Sequence, residues 1–257
     1  MKEKLKNLIN LYIENYKVNQ DEIKWKEAIV KIASASDKEF EKLKNEVVPN
    51  HFMPSELLNN GKSVIVYFLP FDEEIAISNI EGRISSKLWA RAYIETNELI
   101  LKINDMLVDY FVNEGYDAVS TKATHNFDEK TLMSRWSHRH IAVIAGMGTF
   151  GINNMFITDK GCAGRIGSIV VSKEMKYDIK INEEYCLYKK DKSCDKCVKR
   201  CITGALTVNE FDRELCYQMC LANDNYHKME NITDVCGKCV VDLPCSFVNP
   251  TKIYKKI

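Results

Sequence analysis

Cys186-Leu-Tyr-Lys-Lys-Asp-Lys-Ser-Cys194-Asp-Lys-Cys197-Val-Lys-Arg-Cys201 and Val235-Cys-Gly-Lys-Cys-Val-Val-Asp-Leu-Pro-Cys245 carry the most specific chemical pattern in the chain. Nine of the ten cysteines lie between Cys186 and Cys245, and Cys162 stands apart. In each run a C-x2-C pair, Cys194/Cys197 or Cys236/Cys239, is followed a few residues later by a further cysteine, Cys201 or Cys245. Two residues between thiolates let a tight loop set both sulfurs on neighbouring irons of one cube. In two-cluster bacterial ferredoxins the next cysteine of the run crosses to the other cluster.

Read on that template, the runs predict two [4Fe–4S] ligand sets. One is Cys186, Cys194, Cys197 and Cys245; the other is Cys201, Cys216, Cys236 and Cys239. Cys162 and Cys220 are left over. Cys216 and Cys220 are four residues apart and share a helical face, so either reaches the cluster, with Cys216 preferred. Structural zinc is the rival, because a zinc ribbon also uses two C-x2-C pairs. It would leave Cys186, Cys201, Cys216 and Cys245 without a role.

The rest of the chain sets the context. At 257 residues and 46% hydrophobic content it can bury a sizeable core. The onset of cysteines divides it into an expected larger domain, residues 1–180, and a small domain, 181–257. Lys plus Arg and Asp plus Glu stand at 36 each, so no net positive field points to nucleic acid or an anionic membrane. The first residues, MKEKLKNLINLYIENYK, interleave charge with apolar residues and show no export signal. Nothing approaches the roughly 18 apolar residues of a spanning helix. The expectation is a soluble, cytoplasmic protein with no membrane partner, whose thiols serve metal or redox chemistry rather than disulfides.

Leu5, Leu8, Ile9, Tyr12, Ile13 and Tyr16 recur at helical spacing, and a second helix is expected from Ile23 to Val48. Ser63-Val-Ile-Val-Tyr-Phe-Leu69 is β-branched and closed by Pro70, as a buried strand would be. Ser85 to Asn113 predicts a long helix ending at Gly115. Tyr116–Ser120, Met155–Thr158 and Ile166–Ser172 predict strands, and Asp128 to Ile141 a helix. This alternation predicts an α/β or α+β class for residues 1 to about 180.

Gly146, Gly148 and Gly151 match the dinucleotide fingerprint G-x-G-x-x-G, with Ile141–Ala145 as the preceding strand. That motif needs a helix immediately afterwards, and Ile152-Asn-Asn-Met-Phe-Ile-Thr158 predicts a turn and strand instead. His138 and His140 are two apart on the expected helix and point in different directions. Arg165 offers a fixed fork of donors on a turn.

Ser137-His-Arg-His-Ile-Ala-Val-Ile-Ala-Gly-Met-Gly-Thr-Phe-Gly151 and Ile157-Thr-Asp-Lys-Gly-Cys-Ala-Gly-Arg-Ile-Gly-Ser168 resemble segments of epoxyqueuosine reductases, of their short relatives in anaerobes, and of reductive dehalogenases. The likeness continues through Cys201-Ile-Thr-Gly-Ala-Leu206 and Val235–Cys245, and covers roughly residues 115 to 250. It implies a nitroreductase-like corrinoid-binding domain followed by a ferredoxin-like domain with two [4Fe–4S] clusters, and cobalamin as a further cofactor. The implied corrinoid contacts are His138, Arg139, Gly146, Gly148, Thr149, Gly151, Arg165 and Ser168, the glycines leaving backbone open for a flat ring.

The implied activity is that of an oxidoreductase. A low-potential donor such as ferredoxin or flavodoxin would feed the clusters, the corrinoid would reduce an unidentified substrate, and tRNA stays open as a partner. A plain electron-transfer protein without corrinoid is the alternative.

The departures are specific. Family members carry a compact C-x2-C-x2-C-x3-C-Pro run, whereas seven residues separate Cys186 from Cys194 and Ile202 replaces the proline. The aspartate that epoxyqueuosine reductases place in Asp-Thr-x-Pro has no counterpart. Asp128 stands in the unmatched Asn-Phe-Asp-Glu-Lys130, so no catalytic residue is assigned.

Overall fold

The computed structural model describes residues 1–16, 23–121, 127–128 and 130–253. The elements run α1 (Lys2–Asn15), β1 (Ile29–Ser34), α2 (Glu39–Glu46), α3 (Pro54–Leu57), β2 (Ser63–Pro70), α4 (Glu73–Ser78), α5 (Lys87–Asn113) and β3 (Ala118–Ser120). They continue through β4 (Phe127–Asp128), β5 (Met133–Ser134), α6 (His138–Ile144), β6 (Gly148–Phe150), β7 (Phe156–Thr158) and β8 (Gly164–Val171). The cysteine segment adds α7 (Leu187–Asp191), α8 (Lys196–Lys199), α9 (Arg213–His227) and α10 (Pro250–Ile253).

The centre is a four-stranded sheet in the order β1-β2-β8-β3, every pair antiparallel, so the class is α+β. β2 is buried at all eight positions because both faces of the sheet are covered. Alternate side chains of a strand point to opposite faces. Ile65, Tyr67 and Leu69 accordingly meet Leu99, Ile103, Leu107 and Phe111 of α5 and Leu5 and Ile9 of α1. Val64, Val66 and Phe68 meet Phe40 and Leu43 of α2 and Ile141 and Ala142 of α6. The phenol of Tyr67, fully buried, donates to Asn104 Oδ1 at 2.8 Å and to the Ile100 carbonyl at 3.1 Å.

α5 starts at Ser86, whose side chain accepts from Trp89 N, and Gly115 follows its end at φ +84°. A residue just past a helix end in the left-handed region is where glycine is favoured.

Three expectations are corrected. The stretch from Ile23 to Val48 is not one helix: Ile29-Val-Lys-Ile-Ala-Ser34 forms β1, and the helix begins at Glu39. The β-branched residues found a strand partner in β2, and pairing from Ile29↔Phe68 to Ser34↔Ser63 overrides the local helical period. Asp128–Ile141 is likewise helical only from His138; before it, β4 and β5 pair as a short ladder. Ile141–Ala145 is not the strand of a dinucleotide fold either, since Ile141–Ile144 ends α6 and the glycine-rich stretch leads into β6.

A third core crosses residue 180. Phe71, Ile75, Trp89, Ile157 and Cys162 pack in one cluster with Tyr185, Cys186, Val240 and Val241. Backbone bonds reinforce it, because Cys162 N donates to Cys245 O at 2.9 Å and Ala163 N to Ser246 O at 3.0 Å. Among the described residues no helix is long and apolar enough to cross a membrane.

Candidate metal and cofactor site

Cys186, Cys194, Cys197 and Cys245 line one cavity, whose remaining wall includes Gly151, Ile152, Asn153, Ile157, Leu243 and Pro244. Cys186 caps the start of α7, and the carboxylate of Glu184 accepts from its backbone N at 3.2 Å. That carboxylate also accepts from Thr149 Oγ1 at 2.9 Å, tying β6 to the entry of the cysteine segment. Burial pushes the Cys197 thiol up to about 12, with the sulfurs of Cys245, Cys186 and Cys194 adding to it. Burial and the neighbouring sulfurs hold Cys194 and Cys197 toward the neutral thiol, a cost that a bound cation or cluster would offset.

Cys201, Cys216, Cys236 and Cys239 line a second cavity of about 200 Å³, with Cys162, Trp89, Tyr93 and Gly237. Burial pushes Cys239 up, and Cys236, Cys216 and Cys201 add their charge. The Cys236–Cys239 loop is held from both sides: Asn79 Nδ2 donates to Cys236 O at 2.9 Å and Asn153 Nδ2 to Cys239 O at 2.7 Å. Gly237, at φ +72°, lies against the Trp89 indole, where any Cβ would overlap the ring.

The two remaining cysteines act on their neighbours. A hydrogen bond shared with Cys220 lowers the Cys216 thiol to about 7 and raises Cys220. The equivalent bond between Cys162 and Cys245 lowers Cys245 and raises Cys162. In each pair the shift favours the thiolate on one sulfur, Cys216 or Cys245, and the thiol on the other, Cys220 or Cys162.

The pairs Cys194/Cys197 and Cys236/Cys239, which a zinc ribbon would bring to a single ion, line different cavities. Among the described residues no three His, Cys, Asp or Glu side chains close on a single-ion site.

A third cavity, of about 290 Å³, is lined by Ser134, Trp136, Ser137, His138, Arg139 and Phe156, and shares Met155, Cys162, Gly164 and Arg165 with the second cysteine cavity. The Arg165 guanidinium lies 4.4 Å above the Tyr93 ring, and its buried Nε has no hydrogen-bond partner among the described residues. The indole of Trp136 donates to Ser168 Oγ at 3.0 Å, and His138 Nδ1 lies 2.8 Å from the same oxygen.

Of the expected corrinoid contacts, His138, Arg139 and Arg165 line this cavity, with Ser168 directly behind His138. Gly146, Gly148, Thr149 and Gly151 are not among its lining residues. Gly146, at φ +69°, lies against the Ile179 carbonyl and Gly148 against that of Ile157, so a Cβ at either would strike backbone. Thr149 bonds Glu184, and Gly151 faces the first cysteine cavity. Gly146 and Gly148 thus make room for neighbouring backbone, whereas a Cβ at Gly151 would meet the side chains of Asn153 and Ile157. Trp89, Tyr93 and Trp136 were missed, because only tertiary packing carries them from distant elements to these cavities. Asp128 is exposed, its carboxylate held below the usual range by hydrogen bonds from Thr131, so it does not present a proton here.

Two histidines flank the site on the other side of α6. His51 Nδ1 donates to Phe52 O at 2.9 Å while Nε2 accepts from Ser137 N at 3.0 Å, which fixes the neutral tautomer. His140 Nδ1 lies 2.7 Å from Ser137 Oγ and its ring 4.7 Å from that of Phe150. Burial, then the charge of Arg139, depresses His140 to about 4; burial also lowers His51. Between about pH 4 and 6.5 the unfolded chain therefore binds more protons than the folded one. Stability should be full above about pH 6.5 and fall as pH drops toward 4, by about 3 kcal/mol for His140. Urea midpoints across that range check it. His140→Phe should flatten the slope; an equal slope in both chains would contradict the assignment.

No family model matches the chain, and no curated protein sequence matches it. Solved structures do match its fold. A selenomethionine-labelled epoxyqueuosine reductase superposes with a TM-score of 0.60 at 17% identity, covering 96% of this chain and 66% of its own. An epoxyqueuosine reductase with an epoxyqueuosine-modified tRNA-Tyr stem loop gives 0.55 at 18% identity, over 87% of this chain and 59% of that one. A catabolic reductive dehalogenase gives 0.58 at 15% identity, over 87% of this chain and 30% of its own. The chain thus has the fold of these reductases and spans about two thirds or less of each of them.

Proposed function

We propose that this chain is a cobalamin-dependent iron–sulfur reductase, in which two [4Fe–4S] clusters relay electrons from an external low-potential donor to a corrinoid that reduces a still unidentified substrate. The observation that carries the reading is the sharing of residues between cavities. Four cysteines line one, four others line the next, and the second has Cys162, Gly164 and Arg165 in common with the space bounded by His138 and Arg139.

The residues fit the clusters. In each set the sulfurs are brought together by short helices and loops, and proton-retaining neighbours at Cys162 and Cys220 favour the thiolate form of Cys245 and Cys216. Cys186, Cys194, Cys197 and Cys245 would hold the outer cluster, and Cys201, Cys216, Cys236 and Cys239 the inner one. The shared cavity suits the edge of a ring rimmed with amides: Trp136 and Phe156 offer apolar faces, and the unpartnered Arg165 Nε offers a donor. When bound, a corrinoid supplies a strongly reducing cobalt centre that no protein side chain provides. The chain's own share is to hold, orient and shield. His138, engaged by Ser168, is positioned as wall rather than as a free imidazole.

The fold neighbour with a tRNA stem loop makes RNA a candidate substrate class, but Asp128 gives no reason to transfer that chemistry. One observation favours the plain electron carrier: among the described residues no Asp or Glu lines the shared cavity. Purification without oxygen, with cobalamin supplied, and determination of iron, zinc and cobalt per chain separates the readings. About eight irons with stoichiometric cobalt supports the reductase, two cubes each being held by four thiolates. The same iron without cobalt leaves the electron carrier, and zinc without iron removes the clusters.

A further inference from the structure

Between the two cysteines of the inner C-x2-C pair stands a lysine that no ligand role explains. Lys238 is 1% exposed, and lysine is almost never so buried unless it is partnered. Its Nζ donates to the Asn79 carbonyl at 2.9 Å and to the Glu81 carbonyl at 2.7 Å. Both acceptors belong to the turn that closes α4, and both are neutral. No carboxylate forms an ion pair with Lys238 among the described residues. The Glu81 side chain is exposed, while the other nearby cation, Arg200, is already paired with Asp242 at 3.4 Å. Arg200 also donates to Lys238 O at 3.1 Å and to Ile80 O at 2.8 Å, fixing the loop from its far side.

A hydrocarbon side chain of the same length would occupy this space without the cost of burying an ammonium, since buried charge is unfavourable unless something offsets it. Two carbonyls do so in part. What remains is a buried positive charge on a residue that lines the same cavity as Cys201, Cys216, Cys236 and Cys239, where charge acts more strongly than in water. Reduction of a cluster held by those thiolates adds one electron to a group that is already anionic, and neighbouring charge is one of the levers that set such potentials.

We infer that Lys238 supplies the positive charge that stabilises the reduced state of the inner cluster, held by Cys201, Cys216, Cys236 and Cys239. The inference rests on the two-cluster reading above. No bond forms or breaks: the electron comes from the low-potential donor, and the ammonium stays where it is. Lys238 touches no substrate and acts through the thiolates beside it.

The test is a redox titration of the anaerobically prepared full chain, followed by electron paramagnetic resonance, with iron counted in each sample. Lys238→Met and Lys238→Gln remove the charge, Gln keeping a donor for the carbonyls, while Lys238→Arg retains it. In both neutral variants the inner cluster should become at least tenfold harder to reduce, a fall of about 59 mV for a one-electron couple. The outer cluster should not move, and Lys238→Arg should stay near the parent. The signal surviving in a Cys194→Ala/Cys197→Ala chain identifies the inner cluster. If Met prevents folding, Gln decides. A neutral variant with full iron and an unmoved inner potential overturns the inference alone. A parent chain without iron removes the cluster reading and the inference together.

Discussion

Replacing Cys236 and Cys239 together by alanine should lower the iron content of the anaerobically prepared chain from about eight to about four, because one cube loses two of its four thiolates. Cys194→Ala/Cys197→Ala should give the same halving from the other cavity. Each double variant should keep the visible absorption and low-temperature resonance of the remaining cluster, since the two sets line separate spaces. Cys162→Ala and Cys220→Ala are the informative controls. Neither thiol is assigned to a cluster, so both variants should retain all the iron. Iron analysis and protein quantification on the same samples decide the matter. If Cys220→Ala loses iron as Cys216→Ala does, the ligand on α9 has been misassigned. Loss of all iron in either double variant would mean that the clusters are not independent.

The second large effect is at Gly161. This residue, at φ +77°, lies in the turn between β7 and β8, where a Cβ would overlap the backbone of Ser246 and Phe247. Alanine there meets two penalties, a left-handed backbone and a collision that no side-chain rotation relieves. Forcing extra atoms into packed structure costs typically about 1–3 kcal/mol, and the conformation adds about 1 kcal/mol or more. The total, on the order of 3 kcal/mol, is a large fraction of the stability of an ordinary domain. Gly161→Ala should unfold at markedly lower urea than the parent and lose iron in proportion, because the affected turn carries the Cys162 N to Cys245 O bond. Gly82, also at positive φ but with open space around its Cβ, is the control and should lose only the backbone part. Equal midpoints for the two variants would show that the contact with Ser246 carries no energy.

Periodicity and composition disclosed the long elements. Ser63–Pro70 and Lys87–Asn113 are strand and helix because one is a short β-branched run closed by proline, and the other keeps a helical period for 27 residues. Where elements are short, the sequence is ambiguous. Ile29–Ser34 reads as part of a helix until β2 offers it a partner, and Phe127–Ser134 until its own ladder is seen. The grouping of cysteines was legible because thiolate spacing is dictated by the geometry of the metal group they would hold. The walls of the cavities were not. Trp89, Tyr93 and Trp136 reach them from elements far from Cys186 in the chain, and nothing in their immediate neighbours marks them. Gly146 and Gly148 show the reverse failure: a pattern easy to see, with its cause in the carbonyls of Ile179 and Ile157.

The core that crosses residue 180 bears on how the protein matures. The outer cysteine cavity has its floor in residues 151–157, and the inner one is walled by Phe71, Trp89 and Tyr93, so neither pocket exists until the upstream sheet and α5 have folded. The cysteine segment follows these elements in the chain and takes its shape from them. On the proposed reading a cluster would therefore enter a socket already shaped by the upstream sheet and α5, rather than an unfolded tail.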